Sequence, residues 1–225
     1  MERSKLNKND PAAVEARERV LSMIDVVKPE DLVSSIKRAP SLRGMILGYI
    51  AEEMFEKTLP LQYPGILPAN IHKHDDHDRA SNKSDRTVHH NKRMYRIQLK
   101  SLQTNSISRN LESGLLVADI QNDASDARSI RLPNGSIVST TCYARGEYDI
   151  LAVPLFPFSG VWTYAYKRNS DCRGCTSKKY SPEDAEYLLA TTEKITWPLS
   201  EGWTDNLLDL LDERIGLEKI AVDID

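Results

Sequence analysis

The sequence predicts an α/β fold in which a central mixed β-sheet is flanked by α-helices. Three stretches predict it. Residues 41–59 form a long, mostly apolar run with helical propensity. Residues 84–101 have the pattern of a β-hairpin, and residues 150–156 are continuously apolar over the length of one strand, as in a strand covered on both faces.

A chain of 225 residues is long enough for one continuous core, and 40% hydrophobic with 28% charged residues is the balance of a globular protein. No run approaches the roughly 20 apolar residues that cross a bilayer. The polar start, Met1-Glu2-Arg3-Ser4-Lys5, lacks the apolar segment of a signal peptide, so the expectation is a cytoplasmic protein with no membrane partner. Three cysteines, an odd number, argue against a disulfide framework and agree with a reducing compartment.

Residues 11–27 are helical by spacing. A second helix is expected to start at Pro29, with Glu30 and Asp31 in the first turn where the helix dipole favours acids, and to run to Lys37 or Arg38. Residues 1–40 therefore read as an N-terminal helical segment for packing or dimer contact, and residues 41–225 as the main domain. In the helix of residues 41–59, expected to end at Pro60, apolar side chains nearly encircle the axis, while Gly44, Gly48 and Ala51 line a small-residue stripe. Such a helix is expected to be largely buried. Glu52 beside the stripe must then be paired, protonated or bound to a metal. Glu53 is adjacent and could take its place, and either acid could pair with Arg43, Lys57 or a more distant base.

Residues 60–84 are broken by Pro60, Pro64, Gly65 and Pro68 and read as loop. The hairpin that follows is predicted to turn at Asn91-Lys92, since Asn tolerates the left-handed backbone of a two-residue loop even without the usual following Gly. That register sets His90 opposite Arg93, Val88 opposite Tyr95 and Asp85 opposite Gln98. Val88, Tyr95, Ile97 and Leu99 then share the core face, while Asp85, Gln98 and Lys100 gather on the other. An ordinary solvated strand face is one reading of that second set. The chemical reading is that an aspartate and an amide carbonyl hold a divalent cation while the lysine orients a water, a combination suited to phosphodiester hydrolysis.

Downstream, a short helix is expected over residues 111–120, then a second hairpin over 130–140 with Pro133-Asn134-Gly135 at its turn. The central strand of 150–156 is followed by a strand over 160–166. Asp149, at the entrance to the central strand, is read as a hydrogen-bonding anchor rather than a metal ligand. Ser181-Pro182-Glu183-Asp184 opens a helix expected to reach Ala190, and a last helix is expected over 204–215 with Leu207, Leu208, Leu210 and Leu211 buried. Cys172-Arg173-Gly174-Cys175 has zinc-knuckle spacing, but a structural zinc needs four ligands, and the chain offers only Cys142 as a third cysteine and a histidine as the fourth. Reduced thiols are the expectation there.

The succession of Asp85, a hairpin, and Gln98-Leu99-Lys100 resembles the PD-(D/E)xK nuclease superfamily, which includes many type II restriction endonucleases. The run Arg43-Gly44-Met45-Ile46-Leu47-Gly48-Tyr49-Ile50-Ala51-Glu52 is similar to the long helix that brings an acid to the metal site in some of these enzymes. Gly146-Glu147-Tyr148-Asp149-Ile150-Leu151-Ala152-Val153, followed by Gly160, Trp162 and Tyr164, resembles their strand pair after the active site. The resemblance implies a restriction-endonuclease-like fold and a Mg2+-dependent endonuclease acting on double-stranded DNA as a homodimer. It implies Asp85, the Gln98 side-chain oxygen, the Leu99 carbonyl and Glu52 as metal ligands, with Lys100 positioning the attacking water. Gln98 departs from the commoner acid, which removes a negative charge and points to weaker metal binding. An inactive DNA-binding module on the same fold is the alternative from another class.

The net charge of -3 does not advertise nucleic-acid binding, yet residues 73–100 hold Lys73, Arg79, Lys83, Arg86, Lys92, Arg93, Arg96 and Lys100 against only Asp75, Asp76, Asp78 and Asp85. Asp76 or Asp78 could replace Asp85 as ligand but lacks the register argument. His72-Lys73-His74-Asp75-Asp76-His77 spells the signature of metallo-β-lactamase-fold zinc hydrolases. Only His89 and His90 follow it, too few to complete a dinuclear site.

Overall fold

The structure, a computed structural model, describes residues 11–22, 24–68, 84–102, 104–200 and 202–211. It divides into two compact units, Met1–Ile46 and Leu47–Asp225, with the division falling inside a helix. The first unit holds α1 (Pro11–Ser22), α2 (Pro29–Arg38) and the start of α3 (Pro40–Gln62). α1 stops at Ser22, before the expected 27, where the chain turns. α2 has its Pro within the first two positions, Glu30 and Asp31 in the first turn and Lys37 and Arg38 in the last, which is the charge order a helix dipole favours.

The second unit holds the rest of α3 and, in chain order, β1 (Leu67–Pro68), β2 (Arg86–His90), β3 (Arg93–Leu99), β4 (Ser108–Arg109), β5 (Leu116–Gln121), β6 (Asp123–Arg131), β7 (Ile137–Cys142), β8 (Ile150–Pro154), α4 (Phe156–Ser159), β9 (Tyr164–Arg168), α5 (Pro182–Ala185), β10 (Thr192–Trp197) and α6 (Leu208–Leu211). Five strands form one sheet in the order β1-β2-β3-β8-β9, antiparallel except for the parallel pair β3 and β8. Parallel neighbours need a long crossover. Here the crossover from Leu99 to Ile150 carries β4 to β7; β4 and β5 join β10 in a second sheet, and β6 and β7 make a separate two-stranded ribbon.

The fold is thus α/β, with a mixed sheet flanked by helices. Phe55 and Leu59 of α3, with Leu207, Leu210 and Leu211 around α6, cover the face formed by Val88, Tyr95, Ile97, Leu99, Ile150 and Tyr164. Leu151, Val153 and Ala165 point the other way and meet Ala118, Ile120 and Ile195 of the second sheet. β8 is buried at all five positions, which explains its uninterrupted apolar sequence.

The hairpin follows its expected register, with Val88 opposite Tyr95 and His90 opposite Arg93. Asn91 and Lys92 both take positive φ, 48° and 64°, the pairing that a two-residue loop between twisted strands demands. The second hairpin also turns where expected, with Gly135 at φ 89°.

Several expectations are corrected. Residues 116–121 are a strand and not a helix: Ala118 and Ile120 are buried in alternation, and the stretch pairs along its length with β10. α3 runs past Pro60 to Gln62 and buries only Ala51, Phe55 and Leu59. A single row at a spacing of four residues suffices to dock it, which leaves Leu47, Tyr49 and Ile50 exposed despite their apolar character. Among the described residues, and apart from the helix's own backbone, no atom lies within 4 Å of where a side chain would start at Gly44 or Gly48, so no close neighbour sits on the small-residue stripe there. β8 ends at Pro154, and Phe156-Pro157-Phe158-Ser159 turns as α4 with Gly160 in the left-handed conformation at its end. α5 stops at Ala185 and α6 starts at Leu208.

Because Lys92 sits in a backbone region that costs a residue with a Cβ about 1 kcal/mol, Lys92→Gly is expected to raise the unfolding free energy by roughly 0.5 kcal/mol after the entropic cost of glycine. Urea denaturation reads this directly, and a loss of stability would contradict the assigned turn.

Candidate active site

Asp85 immediately precedes β2, and its side chain reaches across to β3. Its Oδ2 accepts a hydrogen bond from the Leu99 backbone N–H at 2.7 Å and another from the Gln98 side-chain amide. The carboxylate thus continues the ladder where the backbone of β2 has not yet begun. Burial pushes the Asp85 carboxyl up from its usual range, against the opposing pull of Lys100, the Leu99 N–H and the Gln98 amide.

Lys100 follows the end of β3 and is held there by its backbone N–H, which donates to the Ala152 carbonyl at 3.0 Å. Its Nζ donates to the Asp123 carbonyl at 2.8 Å. Burial pushes the ammonium down from its usual value, while the nearby charges of Asp85, Asp123 and Glu52 hold it up.

Glu52 arrives from α3 on the opposite side of the hairpin. Arg86 alternates with Asp85 along the strand and therefore points toward the helix, where its Nη1 donates to Glu52 Oε2 at 2.9 Å and to the Asp85 backbone oxygen at 2.6 Å. Its Nε lies 2.8 Å from Glu56 Oε1, with the arginine side chain only 5% exposed. Of the two adjacent acids, Glu52 faces the sheet and Glu53 faces outward, paired with Lys57 at 2.8 Å one turn along. Burial and the neighbouring Asp85 charge push the Glu52 carboxyl up to about 7, even with Arg86 and Lys100 opposing.

Asp85 and Gln98 are thus bonded to each other, and Lys100 feels the charges of both Asp85 and Glu52, although Glu52 comes from the other side of the hairpin and is bonded to Arg86. Arg86 was counted from the sequence only among the basic residues of 73–100, with no partner assigned. Its signal was a basic residue in the apolar alternation of β2, matched by acids at 52 and 56, one helical turn apart. Tyr143 was also missed: its ring lies beside Lys100, 5.2 Å from Nζ to the centroid.

Other candidates lie elsewhere. Asp149 anchors Arg96, accepting from its backbone N–H at 2.7 Å and pairing with its guanidinium at 3.0 Å, the hydrogen-bonding role expected of it. Cys172 sits among the residues between the two sheets, while Cys142 and Cys175 belong to a separate cluster with Ile130 and Leu188. His72, His74, Asp76, His77 and Asp78 lie outside the described residues.

A divalent cation is the group the resemblance implies. Among the described residues no group of three or more His, Cys, Asp or Glu is arranged to hold a metal. The donor set at the hairpin instead has two carboxylates, Asp85 and Glu52, and the Asp85 charge helps burial to push the Glu52 carboxyl up, a repulsion that a cation would relieve. Asp85 Oδ2 takes both hydrogen bonds found for this side chain among the described residues, leaving Oδ1 as a hard oxygen donor. Carboxylate oxygens of this kind are the hard donors that a divalent ion takes. Gln98 presents its nitrogen to Asp85, so service as an oxygen ligand requires its amide to turn over.

The folded-state pKa of Glu52, about 7, lies above its ordinary 4.5. The folded state therefore binds the extra proton between these values, and stability falls as pH rises through that window. Glu52→Gln removes the titration, so its unfolding free energy relative to wild type is expected to improve from pH 4.5 to 8, by up to about 3 kcal/mol. Urea melts of both proteins across that range check it; parallel curves would refute it.

No family model matches the chain, and no curated protein does. Among solved structures, a bacterial homing endonuclease, I-Ssp6803I, aligns with 63% of this chain and 85% of its own length, at 15% sequence identity and a TM-score of 0.29.

Proposed function

We propose that the chain is a Mg2+-dependent endonuclease that hydrolyses phosphodiester bonds of double-stranded DNA, of the type II restriction kind. The observation that supports this reading is the Lys100 ammonium at the end of β3, buried where the charges of two carboxylates, Asp85 and Glu52, act on it.

In this reading Asp85, Glu52, the Gln98 side-chain oxygen and the Leu99 carbonyl hold the cation. When bound it supplies charge neutralisation at the phosphate and lowers the pKa of a coordinated water. Lys100 orients the attacking water and stabilises negative charge growing on the phosphate oxygens. Arg86, kept by Glu56, shares Glu52 with the cation. Gln98 lacks the charge of the commoner acid, so affinity for the cation is modest.

The hairpin also suits a duplex partner. Its tip exposes Lys92 and Arg93, and β2 and β3 carry no acid between Arg86 and Leu99. A two-stranded ribbon fits the major groove, and with strands of about 3.3 Å per residue the tip lies roughly 20 Å from Asp85. A homodimer would match a two-fold DNA site. Within the first unit, Val20 and Val26 stay exposed at 63% and 81%, apolar surface of the kind a dimer contact covers.

A second reading is a DNA-binding module without catalysis. It is favoured by one contact, the Gln98 amide nitrogen held on Asp85 where a cation ligand is wanted. Plasmid incubated with protein and Mg2+ separates the two: an endonuclease of the restriction kind yields discrete fragments, whereas a module binds and never nicks. Lys100→Ala is expected to abolish cleavage and leave the DNA dissociation constant within about twofold; full cleavage by this variant would remove Lys100 from the mechanism. Replacing Lys92 and Arg93 together by Ala should reduce the slope of log affinity against log salt by about 2, since each phosphate contact contributes roughly 0.9. An unchanged slope would take the hairpin tip off the DNA.

A further inference from the structure

We propose that Tyr143 is a positioning residue, whose ring holds the Lys100 ammonium in the direction that the attacking water requires. The catalytic half rests on the nuclease reading above; the contact itself does not.

The contact is made by the open end of the β6–β7 ribbon. Asp123 opens β6 and pairs with Cys142, the last residue of β7, so the Asp123 carbonyl and the next side chain, Tyr143, arrive together at Lys100. Nζ donates to that carbonyl at 2.8 Å and lies 5.2 Å from the ring centroid. The ring is itself fixed. Tyr143 is 7% exposed and meets the Tyr148 ring edge-on, with centroids 5.4 Å apart. The Arg128 guanidinium lies 5.1 Å from the same ring and is neutralised by an ion pair with Glu147. Glu147 in turn accepts from the Ala144 backbone N–H at 2.7 Å, beside Tyr143 in the chain.

An aromatic face is suited to this position for a chemical reason. A lysine has a flexible stem and three N–H donors. A carboxylate in place of the ring would neutralise the ammonium and compete with phosphate for it. Water would exchange and leave the stem loose. A π-face attracts the charge without consuming an N–H. With one N–H spent on Asp123, two remain for water and phosphate, and the stem is ordered before substrate arrives.

The test replaces Tyr143 by Phe, by 3,5-difluorophenylalanine, by pentafluorophenylalanine and by Leu. Fluorination drains the ring face while nearly keeping its shape, so the analogues remain informative even if the Leu variant fails to fold. Single-turnover plasmid cleavage at saturating DNA and Mg2+ is expected to stay close to wild type for Phe, to fall stepwise with fluorination, and to fall about 10- to 100-fold for Leu, with DNA affinity unchanged throughout. A rate insensitive to fluorine overturns the positioning role. Separately, urea midpoints of Lys100→Met, Tyr143→pentafluorophenylalanine and the double variant read the contact without catalysis. Losses in the double variant smaller than the sum of the single losses support it; additive losses overturn it. A wild type that cleaves nothing while the midpoints remain non-additive sinks the nuclease reading and leaves the Lys100–Tyr143 contact standing.

Discussion

The structure around the hairpin depends on a buried guanidinium. Arg86 enters the apolar side of the main sheet and is matched there by Glu52 and Glu56, which α3 presents one turn apart. Removing both acids would leave the buried guanidinium without compensation, a cost on the order of 3 kcal/mol or more. The helix is thereby locked in register against β2, and the row Ala51, Phe55 and Leu59 docks in the one setting that satisfies the arginine. Tyr164 reinforces that setting by donating its hydroxyl to the Ala51 carbonyl at 2.6 Å.

This docking also determines the electrostatics of the candidate site. Asp85 and Arg86 are neighbours in the chain and point to opposite sides of the strand, so the acid of the candidate site and the base that holds the helix are consecutive residues. Glu52 belongs to both environments: burial and then the Asp85 charge push its carboxyl up to about 7, against the opposing pull of its bond to Arg86.

The long crossover between β3 and β8 has a similar double use. A parallel pair cannot be joined by a tight turn, and the intervening chain returns as the second sheet and the β6–β7 ribbon. One part covers the far face of the main sheet through Ala118, Ile120 and Ile195; the other delivers the Asp123 carbonyl and the Tyr143 ring to Lys100. The amine is fixed by residues 23 and 43 positions further along the chain.

What the sequence alone determined was local. The hairpin turn at Asn91-Lys92 follows from residues that tolerate positive φ, and the alternation of side chains then placed Asp85 opposite Gln98 and put Val88, Tyr95, Ile97 and Leu99 in the core. The buried strand at Ile150 and the turn at Asn134-Gly135 were legible for the same reason: a period of two and turn chemistry are written within a few residues. Tertiary structure decided what needs partners from afar. Residues 116–121 became a strand because β10 was there to pair with them, overriding the weak helical preference of the stretch. α3 exposed much of its apolar surface because only one row met the sheet. The partner of Glu52 and the ring beside Lys100 were likewise settled by contacts across tens of residues, and the orientation of the Gln98 amide by one across the hairpin, since the energy of a buried charge depends on which groups the fold brings within a few ångströms of it.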